Sequence, residues 1–295
     1  MTDPLLLERL LTRVEATLAR FEASLPPLPP PTDWSAVAYR WRRSNGRGWL
    51  QAVRHPHPIR LSDLETINDQ KERITANTRQ FVAGKPANNV LLTGSRGSGK
   101  SSLVKAMLNE FSPKGLRLIE VDKDDLIDLA DILDLIDGRP ERFIIFCDDL
   151  SFEAGETAYK ALKSVLDGSI AAPPDNVLIY ATSNRRHLMP EYFSENLETH
   201  TVNDEIRPGE TTEEKVSLSD RFGLWISFYP FSQEDYVAVF QHWARELGVA
   251  EDVIAASERE ALNWSLGRGS RSGRVAWQFA KELAGQQKPR RKKAK

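Results

Sequence analysis

Gly94-Ser95-Arg96-Gly97-Ser98-Gly99-Lys100-Ser101 satisfies the spacing G-x-x-x-x-G-K-S at every fixed position. Its glycines let the backbone turn tightly enough to aim several N–H groups at one anion, such as the β-phosphate of a nucleotide. Lys100 then reaches the β/γ oxygens, and the Ser101 hydroxyl is a ligand for Mg²⁺. With Ser102 added, residues 94–102 form the candidate triphosphate-binding set. A dinucleotide fingerprint fits less well. Here the glycines run G-x-x-G-x-G, which leaves Lys100 and Ser101 without a role.

Two further stretches supply the groups that hydrolysis needs. Arg142-Phe143-Ile144-Ile145-Phe146-Cys147-Asp148-Asp149 is an apolar strand ending in two carboxylates. Asp148 is placed to hold Mg²⁺ directly or through water, and Asp149 to polarise an attacking water. Acids at a strand end also serve as caps for a following helix, which is the plainer alternative. Val177-Leu178-Ile179-Tyr180-Ala181-Thr182 leads into Ser183-Asn184-Arg185-Arg186. An amide at that tip, Asn184, can orient the water or contact the γ-phosphate; otherwise it is a turn asparagine. Farther on, Ser272 reads as a helix N-cap, which puts Arg274 in the first turn. The helix dipole disfavours a cation there unless an anion such as phosphate compensates. On that cap geometry Arg274 is preferred to Arg271.

These groups need a scaffold. Short apolar runs at 89–93, 117–121, 142–147, 177–182 and 224–229 read as strands, with helices at 100–110, 124–136 and 155–167. Unalternated strands separated by helices imply a parallel sheet covered on both faces. Beyond Tyr229-Pro230, residues 232–247, 256–266 and 273–284 read as three amphipathic helices forming a small lid. The expected division is an N-terminal segment 1–60, an α/β nucleotide-binding domain 61–230, a helical lid 231–285 and a basic tail 286–295. Within the first segment, a helix over 3–25 carries one apolar face, and Pro26 to Pro31 form a stiff polyproline spacer.

The 295 residues are 40% hydrophobic and 28% charged, with a formal charge of −2, which is ordinary for a globular chain. No run approaches the roughly 18 apolar residues of a membrane span. Met1-Thr2-Asp3-Pro4-Leu5 lacks a secretory pattern, and Cys147 is the single cysteine. The expectation is therefore a reduced, cytoplasmic setting with no membrane partner. Charge is unevenly spread: 33–60 holds six arginines against Asp33, and 190–216 holds eight acids against Arg207 and Lys215.

In its order of parts the chain resembles the AAA+ ATPases over about 60–285. The Walker A motif lies at 94–101, Walker B at 143–149, sensor 1 at Asn184, an arginine-finger box around Arg221, and a sensor 2 arginine at Arg274. The phrases PANNVLLTGSRGSGKSSLVKA, FCDDLSFE and YATSNRRHLMPEYF are also similar to a bacterial ATP-binding family known as a domain of unknown function. The resemblance implies ATP with Mg²⁺, a five-stranded sheet in the order 5-1-4-3-2, and homo-oligomers in which the Arg221 face meets the γ-phosphate of the adjacent subunit. The alternative for Arg221 is a salt bridge within its own chain. One departure stands out. Asp148-Asp149 replaces the usual Asp-Glu, and the missing methylene retracts the carboxylate by about 1.5 Å, one C–C bond. Either the attacking water sits farther in or hydrolysis is slow, as in a switch rather than a fast motor.

The reading is thus an Mg²⁺-dependent ATPase whose γ-phosphate state drives assembly or remodelling of a macromolecular partner. A second reading is an ATP-regulated nucleic-acid binder or loader, which would use Arg40, Arg42 and Arg43 with Trp34, Tyr39, Trp41 and Trp49 as cations and stacking faces. Against it, arginine–tryptophan clusters commonly pack on their own domain. A third is a slow nucleotide-switched scaffold, with the 3–25 helix and the acidic 190–216 segment docking a protein partner. A GTPase is disfavoured because no Asn-Lys-x-Asp motif occurs.

Overall fold

The computed structural model describes residues 4–24, 29–152, 156–168, 174–185, 188, 200–202, 205–207 and 218–286. Its strands are β1 (Ala38–Ser44), β2 (Arg47–Ala52), β3 (Val90–Gly94), β4 (Leu116–Glu120), β5 (Arg142–Cys147), β6 (Val177–Ser183), β7 (His200–Val202), β8 (Glu205–Arg207) and β9 (Leu224–Phe228). The helices are α1 (Pro4–Ser24), α2 (Asn68–Val82), α3 (Lys100–Phe111), α4 (Leu129–Ile136), α5 (Thr157–Asp167), α6 (Gln233–Glu246), α7 (Glu251–Ala256), α8 (Glu258–Gly267) and α9 (Gly273–Gln286).

Period-two alternation in the parallel strands sends successive residues into opposite layers, so an unbroken apolar run feeds two cores. Leu91, Ile145, Cys147, Ile179 and Ala181 join Leu129, Ile132, Tyr159 and Leu162 of α4 and α5. Val90, Leu92, Ile144, Phe146 and Tyr180 join Ile74, Phe81, Leu103 and Met107 of α2 and α3. In the second layer the Tyr180 hydroxyl accepts from Asn77 Nδ2 at 3.2 Å and meets Thr78 Oγ1 at 2.8 Å, so this buried phenol is paired. Burial pushes that phenol up to about 12.

Among the described residues the main sheet has seven strands in the order β2-β1-β4-β5-β6-β3-β9, which corrects the five-stranded expectation. The two additional strands come from the 33–60 segment. Asn45 and Gly46, with φ of 51° and 73°, make the tight turn that twists β1 onto β2 antiparallel. β1 then pairs parallel with β4, Ala38 opposite Leu118. This pairing uses much of the arginine–aromatic cluster. Tyr39 and Trp41 are buried, Trp41 Nε1 donates to Asp128 at 3.0 Å, Arg40 holds Glu120 at 2.6 Å, and Arg139 stacks 3.6 Å over Trp34. Stacking faces for a nucleic acid are correspondingly fewer.

Other boundaries also shift. The 124–136 helix is a 3-10 stretch over Lys123–Asp128 followed by α4, and α2 adds a helix ahead of the glycine-rich loop. The lid holds four described helices rather than three, around Tyr236, Phe240, Ala276 and Phe279. A capping box between Ser232 and Asp235 starts it. Along α1, Leu10, Leu11, Val14 and Leu18 lie exposed. Beyond Gln286, the basic tail falls outside the described residues, as does most of 190–216; β7 and β8 pair antiparallel within the latter.

Candidate active site

β3, β5 and β6 run parallel and end at one edge of the sheet, so the three segments that follow them meet there. Gly94 closes β3 with φ of +132°, and a Cβ on it would sit 1.9 Å from the Phe228 carbonyl oxygen. Only glycine fits between β3 and β9. Gly97 and Gly99 also take positive φ, +74° and +102°, which turns the loop into the first turn of α3. Ser98 Oγ braces the loop by donating to Ser95 O at 2.8 Å.

Lys100 is buried, and its ammonium donates to Gly94 O at 2.7 Å, Ser95 O at 2.8 Å and Asn184 Oδ1 at 3.0 Å. Burial holds its pKa below the usual lysine value, against the upward pull of Asp148 and Asp149. Ser101 Oγ donates to Asp148 Oδ1 at 2.6 Å. A hydroxyl and a carboxylate so close are two hard oxygens from different elements, the sparse protein donor set that Mg²⁺ takes beside phosphate and water. These residues fit that ion. Among the described residues there is no group of three or more His, Cys, Asp or Glu suited to a fuller protein cage.

Asp149 adopts φ of 53°, left-handed backbone that a short Asp side chain tolerates. Asn184 Nδ2 donates to its Oδ1, and Arg96 lies 3.9 Å from its Oδ2. The shortened second carboxylate therefore sits on a backbone turn of its own and is held from two sides. Cys147, the last residue of β5 and directly before Asp148, is no nucleophile: burial and Asp148 push its thiol up to about 12.

From the lid, the first turn of α9 touches the loop, with Gly273 N donating to Gly97 O at 2.8 Å. Ser272 Oγ accepts from Val275 N at 3.4 Å, the cap that places Arg274 on the cavity. Arg96 through Ser102, Asp148, Asp149, Asn184 and Arg274 line one cavity of about 760 Å³. Gly94 and Ser95 present carbonyls to Lys100, and Arg271 is not among the lining residues. Arg221 lies apart, its Nε donating to Asp167 Oδ1 at the end of α5. Sequence reasoning missed Thr182, whose hydroxyl touches the Asp148 carboxylate and the Asp149 backbone N–H. It also missed the apolar wall: Ile59, Leu64 and Ile67 ahead of α2, and Val239, Trp243 and Trp277 of the lid.

Gly97→Ala is expected to weaken triphosphate binding, because the added Cβ meets Ser272 Oγ at 2.8 Å on a positive-φ backbone. Strain of about 1–3 kcal/mol corresponds to roughly 5- to 150-fold, measurable by equilibrium nucleotide titration.

A family model described as "Protein of unknown function (DUF815)" matches residues 34–287. No curated protein matches. Among solved structures, the chain is similar to a variant of Thermotoga maritima RuvB, at 17% identity and a TM-score of 0.50, over 77% of this chain and 65% of that one. It is also similar to C. elegans PCH-2, at 15% identity and 0.51, over 77% and 65%. Aeropyrum pernix ORC1, solved in complex with DNA, matches at 15% and 0.50, over 76% and 61%. The chain thus spans just under two thirds of these proteins' own lengths. What they share with it is the AAA+ fold.

Proposed function

The chain belongs to the DUF815 family, and from that premise we propose that it is an Mg²⁺-dependent ATPase whose lid passes the state of the γ-phosphate to a macromolecular partner. One observation carries the reading: Lys100, Ser101, Asp148, Asp149 and Asn184, drawn from three separate segments, meet at one cavity in two hydrogen-bonded sets, Lys100–Asn184–Asp149 and Ser101–Asp148.

Lys100 offers its ammonium to the β/γ oxygens in exchange for its present carbonyl and amide acceptors. Ser101 and Asp148 would hold Mg²⁺, which supplies charge neutralisation on the phosphates. Asp149 accepts the proton of the attacking water, and Asn184 steers both Asp149 and Lys100. Asp149 must first loosen its contacts with Asn184 and Arg96, and its carboxylate is short by one methylene, so turnover is slow. Arg274 counters phosphate charge from the lid, and the Gly97–Gly273 contact carries loop movement into α9. Arg221, which is outside the cavity lining, is assigned to the site of a neighbouring copy, where a trans-acting arginine accelerates phosphoryl transfer.

ATP turnover measured together with molar mass, across protein concentration and with or without Mg²⁺, tests the whole reading. Turnover that requires Mg²⁺ and rises per chain on assembly is expected. Failure to bind ATP with Mg²⁺ would sink the nucleotide reading, and activity independent of assembly would remove Arg221.

A further inference from the structure

Thr182 stands near the end of β6, almost wholly buried at 1% exposure, with its hydroxyl between the Asp148 carboxylate and the Asp149 backbone N–H. Its Oγ1 donates to Asp148 Oδ1 at 2.5 Å and accepts from the Asp149 backbone N–H at 2.9 Å. A hydroxyl has one proton to give and lone pairs to receive, and both capacities are used here. The backbone of the same residue continues the pattern, since Leu150 N donates to Thr182 O at 2.7 Å. Ser183 Oγ adds a bond to Leu150 O at 2.7 Å. The tip of β6 is thus stitched to residues 148–150 by side chain and main chain together.

We infer that Thr182 is a positioning residue that sets the magnesium-holding carboxylate and the water-activating carboxylate in register through one hydroxyl. The inference rests on the ATPase reading above and deepens it.

Asp148 is a strand-end side chain whose χ1 would otherwise be free to swing. Ser101 constrains it from the loop side and Thr182 from the sheet side, so one oxygen is fixed between two donors. Asp149 has the opposite problem. Its left-handed backbone is a minority conformation, and the Thr182 oxygen gives its N–H a partner only in that turn. The branched Thr side chain has few χ1 choices in a strand, so the hydroxyl is aimed before any ligand arrives. Asn184, two residues on in the same chain, takes the other end of Asp149 and also Lys100. Small errors at Thr182 therefore reach the metal ligand and the general base together.

The test is Thr182→Val, which keeps the shape and removes both bonds, beside Thr182→Ser, which restores the hydroxyl. Affinity for ATP is measured by equilibrium titration at fixed low nucleotide, first in chelator and then across Mg²⁺ concentration, with thermal melts confirming folding. In Thr182→Val the Mg²⁺ needed for half-maximal tightening should rise by roughly tenfold, the scale of a lost outer-shell partner, with binding in chelator unchanged. Thr182→Ser should recover most of that shift, and turnover should fall in kcat more than in KM for Val. A purely structural role would lower the melting temperature without moving the Mg²⁺ requirement. That outcome, or Thr182→Ser as impaired as Thr182→Val, overturns the inference. If wild type shows no Mg²⁺ effect, the ATPase reading fails and takes Thr182 with it; a normal wild-type response with an unchanged Thr182→Val removes Thr182 alone.

Discussion

Asp149→Asn is expected to lower ATP turnover by at least about 100-fold while leaving ATP affinity within a few-fold of wild type, the signature of a lost general base. An amide has nearly the carboxylate's shape and can still meet Asn184, but it cannot take a proton from water. Single-turnover measurement with saturating ATP separates this from impaired binding. Unchanged turnover would take Asp149 out of the mechanism. The variant also exposes the role given to Arg221. Arg221→Ala, inactive alone, is expected to restore activity when mixed with Asp149→Asn, because a mixed interface then holds one intact base and one intact arginine. Demonstrated co-assembly without rescue would return Arg221 to its contact with Asp167 within the chain.

Lys100→Ala is expected to have the largest effect on binding, a loss of roughly 10–100-fold or more in Mg²⁺–ATP affinity, the worth of a desolvated charge-assisted contact. Its ammonium is buried and already has three protein acceptors, so the variant also removes the group that ties the loop to Asn184. Lys100→Met keeps the aliphatic stem and so isolates the charge. If it folds with a normal melting temperature and still fails to bind, the loss belongs to the ammonium. Retained affinity in both variants would sink the phosphate-cradle reading.

Much of this site was legible from residue order. The octapeptide 94–101 is contiguous, and its chemistry follows from which residue types stand beside which. Asp148 and Asp149 announced themselves at the end of an apolar run, and Asn184 at the tip of the next. The lid cap at Ser272 was readable, and with it Arg274. The Asn45-Gly46 pair between alternating residues was a usable hairpin signal that the arginine-rich composition obscured. Nothing in Ala181-Thr182-Ser183 marked the middle residue, since a buried strand threonine is ordinary until its neighbours across the sheet are known.

What the sequence alone determined was the set of candidate groups and the helix or strand beside each, because both depend on neighbours within a turn or a strand of the chain. Tertiary structure decided which of those groups touch. Thr182 meets Asp148 across a separation of 34 residues, and β1 joins β4 across about 80. Contacts of that range are selected by burial of whole faces and by pairing of strand edges, which are properties of the assembled sheet and which no local pattern encodes.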